Sequence, residues 1–465
     1  MRWLFLRLIS VMLALTITGA VDLRPTRAAG PFVVNSTLDE QDASPGDGQC
    51  ATTGGACTLR AAVQEANALA GADSITLPAG TYTLTLSVSG EEREDDYGDL
   101  DLEENVTIAG AGSAATIIDG NGAQMQDRVF DVAYLSNVTL SGLTIRNGQT
   151  NPTGRTYGGG IYNDSSVLSL NDVVIANNSA YTGGGGLYSD GGSVSLTNST
   201  IRNNTTLFGG GIYFTAGRPA GLTLTDSSIL DNTAKGAGSI ALGAGGGIYN
   251  NGSATTLIRS TVAGNSGGVA GGGIFNSTGS FGDLPSSLTL INATISANTA
   301  AFETGSDTGQ GGGVYNDPNG VVASVNSTIV GNSAKVAGGN LFNGQNGSLR
   351  LTNTIVAVSG AGANCVGTIT SGGYNLASDA SCGLSAAGDL IADPRLGPLA
   401  NNGGPTPTHA VLSDSPAIDA ALSSACPSTD QRGFVRNTAA CDIGAFELGS
   451  TFLVNARAYL PLALR

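Results

Sequence analysis

A glycine-led hexapeptide limits what this chain can fold into more than any other feature. It reads Gly158-Gly159-Gly160-Ile161-Tyr162-Asn163 and returns from Gly184, Gly209, Gly245, Gly271, Gly311 and Gly338. The successive spacings are 26, 25, 36, 26, 40 and 27 residues. That is a fixed unit of about 26 residues with insertions before Gly245 and Gly311. A second motif lies between the glycine units: apolar-x-Leu-x-[Asn/Asp]-x-x-Ile-x-x-Asn. It fits Leu168–Asn178, Val194–Asn204, Leu222–Asn232 and Leu288–Asn298, and looser copies end at Asn265 and Asn332. Its first half alternates with period two, as a half-buried strand does, and lacks the three-and-four spacing of a helix.

One such unit cannot bury its own apolar face, whereas stacked units bury a continuous core. The expected fold is all-β, a right-handed parallel β-helix. Ile161, Leu187, Ile212, Ile248, Ile274, Val314 and Leu341 should form an inward stack. The next residues (Tyr162, Tyr188, Tyr213, Tyr249, Phe275, Tyr315, Phe342) should stack on the opposite face. Glycine suits corners that need positive φ or close backbone approach. Asparagine tolerates the left-handed region and can bond the neighbouring coil, so the asparagines are expected at corners. Segments such as Ile75-Thr76-Leu77 and Val106-Thr107-Ile108 read as earlier, less regular coils. About twelve coils at roughly 4.8 Å each make a rod of about 55 Å.

Composition excludes several function classes. Glycine is 70 of 465 residues and hydrophobic residues are 41%, so the chain can bury a core and is not a disordered acidic tail. The net charge of −16 argues against nucleic acid, which needs a basic face. The single histidine, His409, removes most imidazole-based chemistry. Residues 1–29 carry Arg2 and Arg7, an apolar run from Leu8 to Gly19, and small residues at Thr18-Gly19-Ala20. They read as an export signal, and no other segment is long and apolar enough to cross a membrane. The six cysteines fall as the local pairs Cys50/Cys57, Cys365/Cys382 and Cys426/Cys441. An exported chain would oxidise them, and neighbour pairing is the simplest connectivity.

The two ends carry resemblances. Cys57-Thr58-Leu59-Arg60-Ala61-Ala62 and the stretch Ala70 to Thr85 make residues 33–86 similar to the CSLREA domain that begins many secreted bacterial β-helix proteins. The family's Ser-x-x-Glu capping box is Thr58-x-x-Ala61 here, so the N-cap stays and its glutamate partner is lost. Leu59, Ala62, Val63, Ala66 and Leu69 would then cover the open end of the stack. The glycine motifs loosely resemble the repeats of polymorphic outer-membrane proteins. Asp393-Pro394-Arg395-Leu396-Gly397-Pro398, the stretch Asn401 to His409, Ser415-Pro416-Ala417-Ile418-Asp419 and Cys441 to Glu447 resemble the choice-of-anchor Q domain. The resemblance implies a pectin-lyase-like solenoid in a secreted or surface-attached protein. The expected layout is a signal at 1–29, a cap at 30–74, the β-helix at 75–360, a C-terminal domain at 361–447 and a tail at 448–465.

Sequence alone assigns no catalytic residue. Asp172 and Asp226 occupy the Asn/Asp position of the repeat and read as turn caps. Arg146, Arg202 and Arg259, the candidate lyase bases, have no acidic cluster beside them in sequence. The run Glu91 to Glu104 offers calcium ligands in Asp95, Asp96, Asp99 and Asp101; no other cofactor is expected. His409 reads as a structural histidine, and Asp419, Asp430, Arg432, Asp442 and Glu447 as a buried ion network. Two functions compete. The first is a monomeric, non-enzymatic, adhesin-like protein that binds extracellular polysaccharide or cell-surface glycan. The second is a lyase or glycoside hydrolase acting on acidic polysaccharide. A pocket of paired carboxylates, or an arginine beside a carboxylate cluster, would favour the second.

Overall fold

The computed structural model describes residues 31–450 except 88–96, 155, 216–220, 236–242, 280–284, 302–307 and 438. The expected signal segment, most of the tail, and the calcium candidates Asp95 and Asp96 lie outside the described residues. The chain winds as an all-β, right-handed parallel β-helix. A 22-stranded, a ten-stranded and a five-stranded parallel sheet form its faces. The repeat fixes the register, since a slip of one residue would turn every apolar side chain outward. Ile161, Leu187, Ile212, Ile248, Ile274, Val314 and Leu341 are direct partners on successive coils, and each is fully buried. Ile212 still faces Ile248, and Ile274 still faces Val314, so both insertions leave the stack in register.

The glycine triplets serve both expected purposes. Gly209 has φ +62°, and a Cβ on Gly246 would lie 2.3 Å from the carbonyl oxygen of Gly272 on the next coil. The asparagines divide into two groups: the expected bonding from coil to coil is present, and the expectation that all of them sit at corners is corrected. The corner positions Asp172, Asn198, Asp226, Arg259 and Asn292 do take positive φ. The asparagine that ends each motif does not. Asn178, Asn204, Asn232, Asn265, Asn298 and Asn332 are buried and joined amide to amide at 2.9–3.0 Å. The chain of amides continues through Asn340 to Asn364. A buried amide needs every donor and acceptor met, and stacking identical residues at the coil repeat meets them.

The helix Leu59–Ala68 (α1) caps one end. The Thr58 hydroxyl accepts from the Ala61 amide at 3.1 Å, and residues Leu59 to Ala66 are buried. Parallel pairing continues past residue 360 through Thr370–Ser371, Leu376–Ala377 and Leu390–Ile391. From Ala392 the chain turns back and lies along the side of the later coils. Asn292 donates to the Thr429 carbonyl, Ala445 donates to Thr328, and Asn326 donates to the Asp442 carbonyl. Val330, Ile355 and Ala357 of the solenoid share a second core with Val411, Ile443 and Phe446 of this returning segment. Three disulfides join Cys50 to Cys57, Cys365 to Cys382 and Cys426 to Cys441. Among the described residues, no helix is long and apolar enough to cross a membrane.

Candidate functional site

One outward residue per coil stands at the same register on the ten-stranded sheet. From the capped end these are Asp101, Asp131, Tyr162, Tyr188, Tyr213, Tyr249, Phe275, Tyr315 and Phe342. The aromatic stack expected from the repeat is therefore present. Neighbouring ring centroids are 4.6–5.3 Å apart. The rings are half-buried, and Tyr188 is buried by its neighbours. Burial, with Asp190, Asp164 and Asp131 close by, pushes the Tyr162 phenol up to about 12. Burial also raises Tyr188, Tyr213, Tyr249 and Tyr315. The hydroxyls thus remain protonated and can donate hydrogen bonds along the ladder.

The ladder changes character at its capped end. Asp101 and Asp131 replace the rings and floor a groove of about 500 Å³, also lined by Glu103, Arg128, Tyr134, Tyr157, Tyr162 and Asp164. Arg128 is 2% exposed. Its guanidinium lies 2.9 Å from Asp131, 3.4 Å from Asp99 and 4.8 Å from the centroid of the Tyr162 ring. One oxygen from each of Asp99, Asp101 and Asp131 lies within 4.8 Å of the others. Tyr134, 64% exposed, follows the Asp131 strand, and Tyr157 precedes the Tyr162 strand, so two more rings border the carboxylates.

The cap positions this rung. Buried Arg60 pairs with Asp39 at 2.7 Å and donates to the carbonyls of Gly98 and Asp99 at 2.8 and 3.2 Å. From the last turn of α1, Asn67 donates to the Asp101 carbonyl at 2.8 Å and accepts from the Glu103 amide at 3.1 Å. Two of the four calcium candidates, Asp99 and Asp101, thus come together with Asp131. The sequence reading did not single out Asp131, Arg128, Tyr134 or Tyr157. Aligning Leu100-Asp101-Leu102 and Phe130-Asp131-Val132 on Ile161-Tyr162-Asn163 would have found the two aspartates.

The other singled-out residues lie elsewhere. Arg259 makes a bidentate pair with Asp226 at 2.8 and 2.7 Å, and Asp172 accepts from the Ser113 hydroxyl at 2.8 Å. Arg146 pairs with Asp119 at 2.8 Å beside a second, polar cleft of about 470 Å³. Arg202 is exposed. None of these lines the groove. His409 is held between the Ser296 hydroxyl and the Gly397 carbonyl, both at 2.8 Å, and burial lowers its pKa. The expected buried ion network forms from Asp430, Arg432, Asp442 and Glu447, with Arg432 on Asp430 at 2.6 Å. Asp419 stands outside it, which corrects the expectation, because its side chain is exposed and only its backbone amide donates to Asp442. Glu447 pairs with Arg436 at 2.9 Å, an arginine that the sequence reading left out.

No family model and no curated protein matches the chain. Solved structures that match the chain include the following three, all at low identity. Against pectate lyase Pel9A the TM-score is 0.48 at 14% identity, covering 90% of this chain and 97% of that one. Against the A-module of mannuronan C-5 epimerase AlgE4 from Azotobacter vinelandii it is 0.34 at 15% identity, covering 72% and 94%. The AlgE6 A-module of the same organism gives 0.30 at 16%, covering 72% and 93%. At these values the likeness carries no argument about chemistry.

Proposed function

We propose that this protein acts on an extended polysaccharide, held along the ring ladder and cleaved at its carboxylate end. One observation carries this reading. The outward rung is aromatic in successive coils from Tyr162 to Phe342 and becomes aspartate at two adjacent coils, beside a buried arginine and inside a groove. Repetition accounts for the rings as packing. It does not account for the switch, and a local break in a repeat is where a working site is expected. Both features that would favour an enzyme over a non-enzymatic binder, paired carboxylates and an arginine beside them, occur in this groove.

The arrangement suits hydrolysis of a glycosidic bond. Asp131, held by Arg128 at 2.9 Å, is the carboxylate that attacks the sugar carbon. Asp101 gives its proton to the leaving oxygen and then activates the water that releases the product. With an oxygen of each no more than 4.8 Å apart, the two carboxylates fall on the short side of the range, nearer the arrangement of about 5 Å that works through a covalent intermediate than the wider one that leaves room for a water. Lyase chemistry fits less well: it needs a base at a sugar carbon, and a guanidinium stays protonated in proteins. The same oxygens are of the kind calcium takes, although Arg128 already supplies positive charge among them. On their motifs, the N-terminal segment is read as CSLREA-like and 361–447 as choice-of-anchor Q-like, in an exported chain.

The test is reducing-end release from a panel of neutral, amino and uronate polysaccharides. Wild type should turn over at least one. Asp131→Asn and Asp101→Asn should abolish release in protein that still folds, as circular dichroism checks, with Asp131→Asn melting lower because it removes a partner of buried Arg128. Tyr213→Ala should weaken binding about fivefold, the equivalent of ~1 kcal/mol for one lost ring contact. Binding without release from any polysaccharide would restore the non-enzymatic reading.

A further inference from the structure

We propose that Asp73 is a proton-operated latch: protonated, it lets α1 close the end of the stack, and ionised, it loosens that helix and the rung the helix holds. The starting observation is a break in the core. On the strand Ala72–Leu77, Asp73, Ile75 and Leu77 point inward. The register partner of Asp73 on the next coil is Val106, followed by Val138, Leu168, Val194 and Leu222, all of them buried. The first coil thus carries a carboxylate where the coils after it carry aliphatic side chains. Asp73 is 3% exposed, and neither of its oxygens has a hydrogen-bond partner. A buried polar group is normally paired, and an unpaired buried charge is far costlier than a neutral acid.

The surroundings favour the neutral form. The neighbouring strands Pro31–Val33 and Asn105–Gly110 carry no titratable side chain. Helix α1, which packs against the strand, brings Glu65 and Arg60. Glu65 is fully buried and accepts from the Gly46 amide at 2.6 Å and from the Gly48 amide, with the charges of Asp42 and Asp47 beside it. Arg60 is turned to Asp39 and to the carbonyls of Gly98 and Asp99. Glu104 directly precedes Asn105–Gly110. Burial first, then the charges of Glu104 and Glu65, raise Asp73 from 3.8 to about 6. Once ionised, this carboxylate gains most by reaching water. The next coil closes it in on one side, and α1 is the layer at the end of the stack, where opening is least costly. Asn67 of the same helix holds the backbone of Asp101 and Glu103, so that rung loosens with the cap. The latch does not depend on what the groove binds.

The test is hydrogen exchange on the full chain at about pH 4.5 and about pH 7, corrected for the chemical rate of each amide. Opening returns Asp73 to its ordinary 3.8, so the open fraction of the cap should rise roughly twentyfold over that interval. Protection of the α1 amides should fall by that factor. The Glu103 amide, which donates to Asn67, should follow, and amides in the coil of Ile212 should keep their protection. Asp73→Asn should abolish the fall, and Glu104→Gln should reduce it by removing one repelling charge. Unchanged protection in wild type, or an equal fall in Asp73→Asn, would overturn the inference. An equal fall along the whole rod would overturn it as well, since the fold rather than the cap would then be responding. A fall in α1 that spares Glu103 would overturn its control of the rung. Recovery of wild-type protection at the higher pH on adding calcium, absent in Asp73→Asn, would replace the latch with a cation site.

Discussion

Replacing Asn232 by alanine tests the principle that holds the coils in register. Asn232 is fully buried. Its Oδ1 accepts from the Asn204 amide at 3.0 Å and from Asn204 Nδ2 at 2.9 Å. Its own Nδ2 donates to the Ile201 carbonyl at 2.9 Å and to Asn265 Oδ1 at 3.0 Å. Alanine removes all four bonds. Asn265 Oδ1 keeps the bond from the Asn232 backbone amide, but two donors of the fully buried Asn204 lose their partner. An orphaned buried donor costs about 1–3 kcal/mol, so the loss should be about 4 kcal/mol in all. Thermal unfolding should fall by several degrees. Hydrogen exchange should rise at Asn204, whose amide is the group left bare. Repeat proteins couple mainly between neighbours, so coils far from Asn232 should keep their protection. Asn203→Gly, one residue from the ladder at an exposed corner with φ +56°, should be nearly neutral. Unfolding and exchange at Asn204 indistinguishable from wild type would refute the view that the amide ladder stabilises the stack.

Two further outcomes follow from burial. Asp73 is 3% exposed with both oxygens unpartnered, and burial, with Glu104 and Glu65 adding repulsion, raises it from 3.8 to about 6. An acid raised in the fold contributes most below its unfolded value and loses that contribution as pH rises through 6, here about 3 kcal/mol. Asp73→Asn should therefore gain stability relative to wild type between about pH 4 and 7 in urea unfolding, and a constant difference across that range would contradict this. Ile212→Asp places an unpaired carboxylate in the core and should cost several kcal/mol, whereas Arg202→Ala at an exposed position should be nearly silent; equal melting of the two variants would sink the register.

The solenoid was legible because each coil restates the same pattern, so Ile161 and its counterparts could be assigned to the core by position alone. The asparagines were legible only in part. Corner and ladder positions are both polar, and propensity favours asparagine at either. The distinguishing sign lies in the repeat: the corner accepts Asp172, Asn198, Asp226 and Arg259, while the motif's last position is always asparagine. A corner needs only a residue tolerant of positive φ, whereas the ladder needs a group that both donates and accepts. The groove was hidden because the early coils lack the glycine triplet that sets the frame, so Asp131 had no position to be counted from. The docking face of the C-terminal segment also left a trace. At one outward register Arg202 and Leu230 give way to Ala263, Ser296, Val330 and Ala357, small or apolar residues that another segment can cover.

Cap and groove are consequences of the same constraint. A parallel stack must end somewhere, and its last rung exposes backbone groups and core side chains that need cover. Helix α1 supplies that cover through its buried face, and the same helix carries Arg60 and Asn67, which hold the backbone from Gly98 to Glu103. Away from the ends, each ladder position is packed between two near-copies of itself, which favours a residue that stacks on its own kind. Rings do so through their faces and amides through their bonds. Carboxylates repel one another, so a largely buried pair of them at one ladder position is favoured where repetition stops and a cation such as Arg128 can enter. The end of the stack meets both conditions. The physics that makes the middle of the rod uniform therefore leaves its capped end free to carry a distinct set of charges.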